Sequence, residues 1–216
     1  MLDLSLYNQA LPFIQGGDVV VFEGARQLGN PLTWLNVAID VISRSYLTHA
    51  AIIYPQRLTI EGQPQKCLHI IEDTIWNGVD GVQINPLAAR LEGNTGVAVL
   101  RLSRATRLSL DWHRLWARAI ARVGRDKYNI GELFAYVARD LPLVKDIPQL
   151  YQPTPGAEVC SEFVCDAFAD GGMQELHPAV TPPQKLAQLG IYDGAPLVVY
   201  GKLSPIRGYN ATPIYA

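Results

Sequence analysis

Three cysteines and four histidines in 216 residues leave few choices for covalent chemistry. Cys160 lies in the run Glu158-Val159-Cys160-Ser161-Glu162-Phe163-Val164, ahead of Ala167 and Phe168. Phe163, Val164, Ala167 and Phe168 follow it at offsets of three, four, seven and eight, so they share one helical face with the cysteine. Pro153 and Pro155-Gly156 lie just upstream, so that helix must begin close to Cys160 itself. A thiol in the first turn of a helix sits at the positive end of the dipole, which favours thiolate over thiol. That is the setting a cysteine nucleophile needs. The competing reading is a small core hydrophobe, the ordinary fate of a lone cysteine. Cys165 falls about 140° further round the helix and reads as structural.

A thiol nucleophile needs a base within hydrogen-bond reach and a third group to orient that base. His113 falls beside Arg114 on the basic side of a helix and reads as solvated. His177 stands before Pro178 with no periodic context. His69 lies inside a strand between Leu68 and Ile70, where a histidine with its hydrogen bonds satisfied is expected. His49 differs. It opens a strand and is followed by the small Ala50 and Ala51, which leave room for a helix and a substrate. A structural histidine is the alternative there. For the orienting group, Glu72 ends the apolar stretch Leu68-His69-Ile70-Ile71 and would meet His49 if strands 49–54 and 68–72 pair. Asp73 is its rival.

Positioning these residues falls to a series of short elements. Gly16-Gly17 precede the β-branched run Asp18 to Phe22, a buried strand. Asn30-Pro31 reads as an N-cap and first helical position, with Leu32, Leu35, Ile39 and Ile42 continuing to about Ser43. Strands are expected at 49–54, 68–72, 82–84 and 96–102. A hairpin-like loop is expected over 55–65, with turns at Asn77-Gly78 and Asp80-Gly81. Trp112, Leu115, Trp116, Ala119, Ile120 and Val123 form an apolar stripe opposite Arg114, Arg118 and Arg122, and Gly124 reads as the C-cap. A second helix is expected from about Ile130 to Leu141, capped by Asn129. The stretch 142–156, with Pro142, Pro148, Pro153 and Pro155, reads as a connector. Thr181-Pro182-Pro183 starts a short helix, Pro196 to Leu203 forms a late strand, and the last residues read as a loose tail. Strands first and helices later argue for a single α+β domain over 1–216, core about 16–203, with an antiparallel sheet packed against helices.

Composition removes several function classes. A net charge of −2 offers no footprint for nucleic acid, and the basic residues between Arg101 and Lys127 read as one solvated helix face. No stretch of about 18 apolar residues appears, which argues against a transmembrane segment. The N-terminus has no basic region or long apolar core, so no signal peptide is expected. Three scattered cysteines are neither a disulfide framework nor a zinc motif. No cofactor is expected. Neither Gly-x-Ser-x-Gly nor a glycine-rich phosphate loop is present.

Taken in order, Gly17-Asp18-Val19-Val20-Val21-Phe22, Thr48-His49-Ala50-Ala51-Ile52-Ile53-Tyr54, Ile70-Ile71-Glu72, Tyr128-Asn129 and Val159-Cys160-Ser161-Glu162-Phe163-Val164 resemble the circularly permuted branch of the NlpC-type cysteine hydrolases, which includes the YiiX/YebB-like proteins. The resemblance spans about residues 16 to 190, Thr181-Pro182 included. It implies a papain-like fold in which an antiparallel sheet or half-barrel packs against helices and the nucleophile opens a helix. It implies Cys160 as nucleophile, His49 as general base, Glu72 as orienting residue and Tyr128 as a hydroxyl touching substrate or oxyanion. A half-buried aromatic is the other reading of Tyr128. Asp18 matches a residue read as structural, near the first strand. The activity implied is hydrolysis of an amide in a short or cell-wall-type peptide, peptidoglycan stem peptides being the family's best-known substrates. Two alternatives keep the fold: a lipid acyl hydrolase or acyltransferase using the same Cys-His pair, and a non-enzymatic module in a phage particle or other assembly. The expected location is the cytoplasm or delivery by a virion or lysis system. Substrate choice does not carry over, because 55–66 and 111–141 are family-variable.

Overall fold

Val19, Val20, Val21 and Phe22 are all buried, and they form the middle of the strand around which the sheet is built. The computed structural model describes residues 2–24, 46–60, 63–128, 157–158, 160–173, 182–209 and 211–212; at 55–60, 63–67, 128, 157–158 and 211–212 it describes the backbone alone. The expected helices at 31–43 and 130–141, the connector 142–156, Thr181 and His177 lie outside these residues. The strands are β1 (Val19–Gly24), β2 (Leu47–Ile60), β3 (Gln63–Trp76), β4 (Val79–Pro86), β5 (Asn94–Leu100), β6 (Lys127–Tyr128), β7 (Ala157–Glu158), β8 (Tyr192–Asp193), β9 (Leu197–Gly201) and β10 (Ala211–Thr212). The helices are α1 (Ser5–Ala10), α2 (Arg104–Ser109), α3 (Trp112–Arg122), α4 (Cys160–Asp170) and α5 (Pro183–Ala187). Six strands make one antiparallel sheet in the order β4-β3-β2-β1-β5-β9. The protein is α+β, as element order predicts.

Because strand side chains alternate, the sheet buries two faces. One face carries Val19, Val21, Ala50, Ile52 and Ile71 and packs against Phe163, Val164, Ala167 and Phe168 of α4 and Leu115 and Ala119 of α3. The other carries Val20, Phe22, Ala51, Ile53 and Ile70 and packs against Tyr7, Ala10 and Ile14 at the N-terminus and Leu87 and Leu91 after β4. Burying a Val, Ile, Leu or Phe side chain is worth about 1.5–3 kcal/mol, so these two layers hold the sheet rigid under the site. Covered on both faces, β1 reads as a continuous apolar run rather than an alternating one.

The expected hairpin-like loop at 55–65 is a hairpin, but its arms are strand rather than loop, with β2 and β3 paired from Ile52–Ile71 to Ile60–Gln63. Pro55 is tolerated for a local reason. The N–H and C=O of Ile53 both point toward β1, bonding Asp18 and Gly17. The backbone of Pro55 therefore faces the same way, but β1 pairs with β2 no further than Ile52, so no donor is required. The turn expected at Asp80-Gly81 is also strand. Gly81 is there because the Asp126 carbonyl would stand 1.9 Å from any Cβ, and its φ is +106°. The tail is not loose throughout. Ile206 and Tyr209 pack on the core and Ala211–Thr212 pair with β8.

Asp18 ties the first strand to the helical layer. Its carboxylate accepts the N–H of Gln15 at 2.8 Å and of Leu102 at 2.9 Å, and pairs with Arg107. Burial pushes its pKa up to about 6 against the pull of Arg107 and the two N–H donors. Gly17 beside it has φ +86°, and a Cβ there would lie 2.4 Å from the Trp112 ring. The Gly17-Asp18 pair is thus a packing and hydrogen-bonding device, in line with the structural reading of Asp18.

Candidate active site

His49 is the third residue of β2 and sits opposite Phe22 of β1, whose ring centroid lies 5.2 Å from the imidazole. A register shift at Phe22/Glu23 bends the pairing at this point. The imidazole stays 14% exposed while Ala50 and Ala51 behind it are fully buried. The register Ile52–Ile71 puts Glu72 on the same face as Ile70 and Ala51, the face that His49 shares. As a result His49 Nε2 lies 2.6 Å from Glu72 Oε2.

Glu72 is fully buried and its four lone-pair directions are filled. Besides His49, it accepts from Asn85 Nδ2 at 2.7 Å, Arg90 Nε at 2.7 Å and Arg90 Nη2 at 3.1 Å. The Arg90 guanidinium is itself steadied over the rings of Trp76 at 5.2 Å and Phe22 at 5.9 Å. Burial works against the charge on Glu72, but His49 and Arg90 more than offset it and hold the carboxyl well below its usual range. Burial likewise opposes a charge on His49. Its hydrogen bonds and charge interactions with Cys160 and Glu72 prevail, and its pKa is raised. With Nε2 on Glu72, Nδ1 is the ring nitrogen left for the sulfur.

Cys160 is the first residue of α4 and 4% exposed. Two devices set its position. The apolar face of α4 seats the helix on the sheet, and its end is closed by a Schellman motif: Met173 N–H to Phe168 C=O, Gly172 N–H to Ala169 C=O, with Gly172 at φ +102°. At the start, β7 pairs in parallel with β6, and the preceding turn is hydrogen-bonded to Val82 of β4 through Gly124 N–H and Asp126 C=O. The nucleophile candidate is therefore anchored to the hairpin that carries Glu72. Cys165 is fully buried among core residues.

Tyr128 pairs with Glu158, two residues before Cys160, but its side chain lies outside the described residues, as does that of Cys67. His113 is exposed. His69 departs from expectation, since its Nδ1 is buried with no hydrogen-bond partner. Sequence reading missed Asn85 and Arg90. The only signal was a strand parity that places Asn85 opposite Ile70, two residues from Glu72. Among the described residues, no group of three or more His, Cys, Asp and Glu is placed to hold a metal ion, and no helix is long and apolar enough to cross a membrane.

The structure separates Glu72 from its rival. Asp73 points to the opposite face, is fully buried, and neither carboxyl oxygen has a hydrogen-bond partner. Burial raises its pKa to about 8, aided by Asp80, Asp126 and Glu162 and opposed by His49. A carboxyl with a raised folded-state pKa binds a proton in the fold that it releases when unfolded. The fold therefore loses stability as pH climbs from about 4 to about 8, by several kcal/mol at the upper limit. Asp73→Asn cannot ionise, so its melting temperature should fall less than wild type between pH 6 and pH 9. Parallel losses in the two proteins would show that Asp73 does not carry that proton.

No protein-family model matches this sequence, and no curated protein matches it.

Proposed function

We propose that the protein is a cysteine hydrolase that cleaves an amide bond through a Cys160 acyl-enzyme, on a permuted NlpC-type, papain-like scaffold. One observation carries this reading: a single imidazole lies 2.6 Å from a buried, ionised carboxylate and interacts electrostatically with a cysteine at a helix N-terminus. Such an arrangement is what nucleophile, base and orienting group require.

In the first step the Cys160 thiol gives its proton to His49 Nδ1 as the sulfur attacks the amide carbonyl carbon, forming a C–S bond while the C=O π bond opens. The carbonyl oxygen takes the negative charge beside the Cys160 N–H at the start of α4, with the Tyr128 hydroxyl as second donor. His49 gives its Nδ1 proton to the leaving nitrogen, the C–N bond breaks and the amine departs. Water then gives a proton to His49 while its oxygen attacks the thioester, and the C–S bond breaks to release the acid. Glu72 keeps Nε2–H engaged throughout and offsets the imidazolium charge. Short or cell-wall-type peptides are the proposed substrates.

Thiol labelling tests the reading without knowledge of the substrate. An ordinary thiol is only a few per cent ionised near pH 7. Iodoacetamide should therefore modify Cys160 about tenfold faster than Cys165 or Cys67, and His49→Ala should remove that advantage. Equal rates at all three cysteines would end the case for an activated thiol. Mass analysis of products from peptidoglycan and from a lipid panel then separates peptide from lipid substrates.

A further inference from the structure

The start of β2, helix α5 and the segment Ser204–Arg207 line an open recess of about 220 Å³. Leu47, which packs on the face of the sheet that α4 covers, lines it and stands two residues before His49 on the same strand, so the backbone positions of the two residues are roughly 7 Å apart. The recess is smaller than the several hundred Å³ that hold a drug-sized ligand, so it suits one residue of a longer substrate. Leu47, Pro205 and Ile206 supply apolar wall, and half-exposed Tyr46 forms part of the rim.

Its polar groups divide into those holding the segment in place and one that does not. Ser204 gives its N–H and hydroxyl to the Glu23 carboxylate at 2.6 and 2.9 Å. The side-chain amides of Gln184 and Gln188 both donate to the Arg207 carbonyl. These bonds fix the backbone of residue 207 while its exposed side chain meets no carboxylate and no aromatic ring among the described residues. A guanidinium on a held backbone, lining a recess with Leu47, Pro205 and Ile206, suits a carboxylate. The Glu23 carboxylate is already engaged by Ser204.

We propose that this recess is a substrate subsite for a residue flanking the scissile amide, one whose apolar part enters between Leu47 and Ile206 and whose carboxylate is taken by Arg207. The assignment rests on the hydrolase reading for its meaning, but its test does not need turnover. In wild-type protein, N-acetylleucine and its neutral counterpart N-acetylleucinamide are titrated by NMR, together with the α-amide of N-acetylglutamate. The carboxylate ligands should bind about tenfold more tightly than leucinamide at low salt, the effect of one charge-assisted contact. Arg207→Gln should erase that difference and Arg207→Lys restore part of it. A preference for N-acetylleucine assigns a terminal carboxylate, and a preference for the glutamate amide assigns a side-chain one. Equal binding of charged and neutral ligands, or an unchanged preference in Arg207→Gln, overturns the proposal. Because cysteine labelling is measured separately, loss of this subsite and loss of the hydrolase reading give distinct results.

Discussion

Cys160→Ala should reduce amide hydrolysis to the uncatalysed background while the protein remains folded. The side chain is small and 4% exposed, so losing its sulfur leaves a cavity smaller than a leucine-to-alanine change and costs about 1 kcal/mol. Against that stands the loss of the atom that forms the acyl-enzyme in the proposed mechanism. Removing the nucleophile of such a unit costs on the order of 10⁶ in kcat. His49→Ala should be nearly as severe, since it removes the proposed base. The double variant is the more informative measurement. If sulfur and imidazole act as one unit, Cys160→Ala/His49→Ala will be no slower than either single change, with circular dichroism and melting temperature confirming the fold. Multiplicative losses would mean the two residues act independently, and full activity in Cys160→Ala would dismiss the covalent mechanism.

Glu72→Ala should damage both stability and activity, because the carboxylate serves several partners. Its removal strands the Arg90 guanidinium, the Asn85 amide and the Nε2 side of His49 around an empty space. Breaking a buried ion pair from one side costs about 3–5 kcal/mol, less here because Arg90 is 16% exposed. That remains a large part of the roughly 5–15 kcal/mol available to a folded domain. Glu72→Gln keeps the volume but turns an amide NH₂ toward groups that themselves donate, so it should fold better and still lose about 10²–10⁴ in kcat. The pH profile separates orientation from mere destabilisation. Glu72 helps raise the His49 pKa, so without it the imidazole loses its proton at lower pH and the alkaline limb of kcat/KM moves down. The stability linkage has the same two signs. The contribution of Glu72, whose folded pKa is depressed, is present above about 4.5 and lost as pH falls. That of His49, whose folded pKa is raised, is complete below about 6.5 and lost as pH rises through the folded value. Their joint effect is greatest in mild acid. A Glu72→Gln enzyme with an unshifted pH profile would show that Glu72 does not act through His49.

Local pattern carried much of this architecture. The run Val19 to Phe22 is a strand because four consecutive large apolar residues need cover on both faces. The stripe through Leu115 and Ala119 is a helix because only a 3.6-residue period brings those positions together. Asp111 caps it through the Arg114 N–H at 3.0 Å. The helix that opens at Cys160 follows from its own apolar offsets, and so does the burial of Phe163, Val164 and Phe168. Where local signals misled, a non-local partner had overruled them. Pro55 looked like a loop residue and sits on a free strand edge, and Asp80-Gly81 looked like a turn until the Asp126 carbonyl came against Gly81.

From sequence alone came the chemical types and their stations: a thiol at a helix start, an imidazole at a strand's opening, and two adjacent carboxyls at 72 and 73. Which carboxyl meets the imidazole was decided only in three dimensions. Neighbours on a strand face opposite ways, so the choice rests on the register of β2 against β3, and register is a property of pairing between distant segments. The same pairing and the turn after β4 delivered Asn85 and Arg90 to Glu72, while Asp73, one position along, was left buried without a partner. Contacts between segments far apart in the chain leave no local period, and this is why the groups that hold Glu72 ionised emerge only once the sheet is assembled.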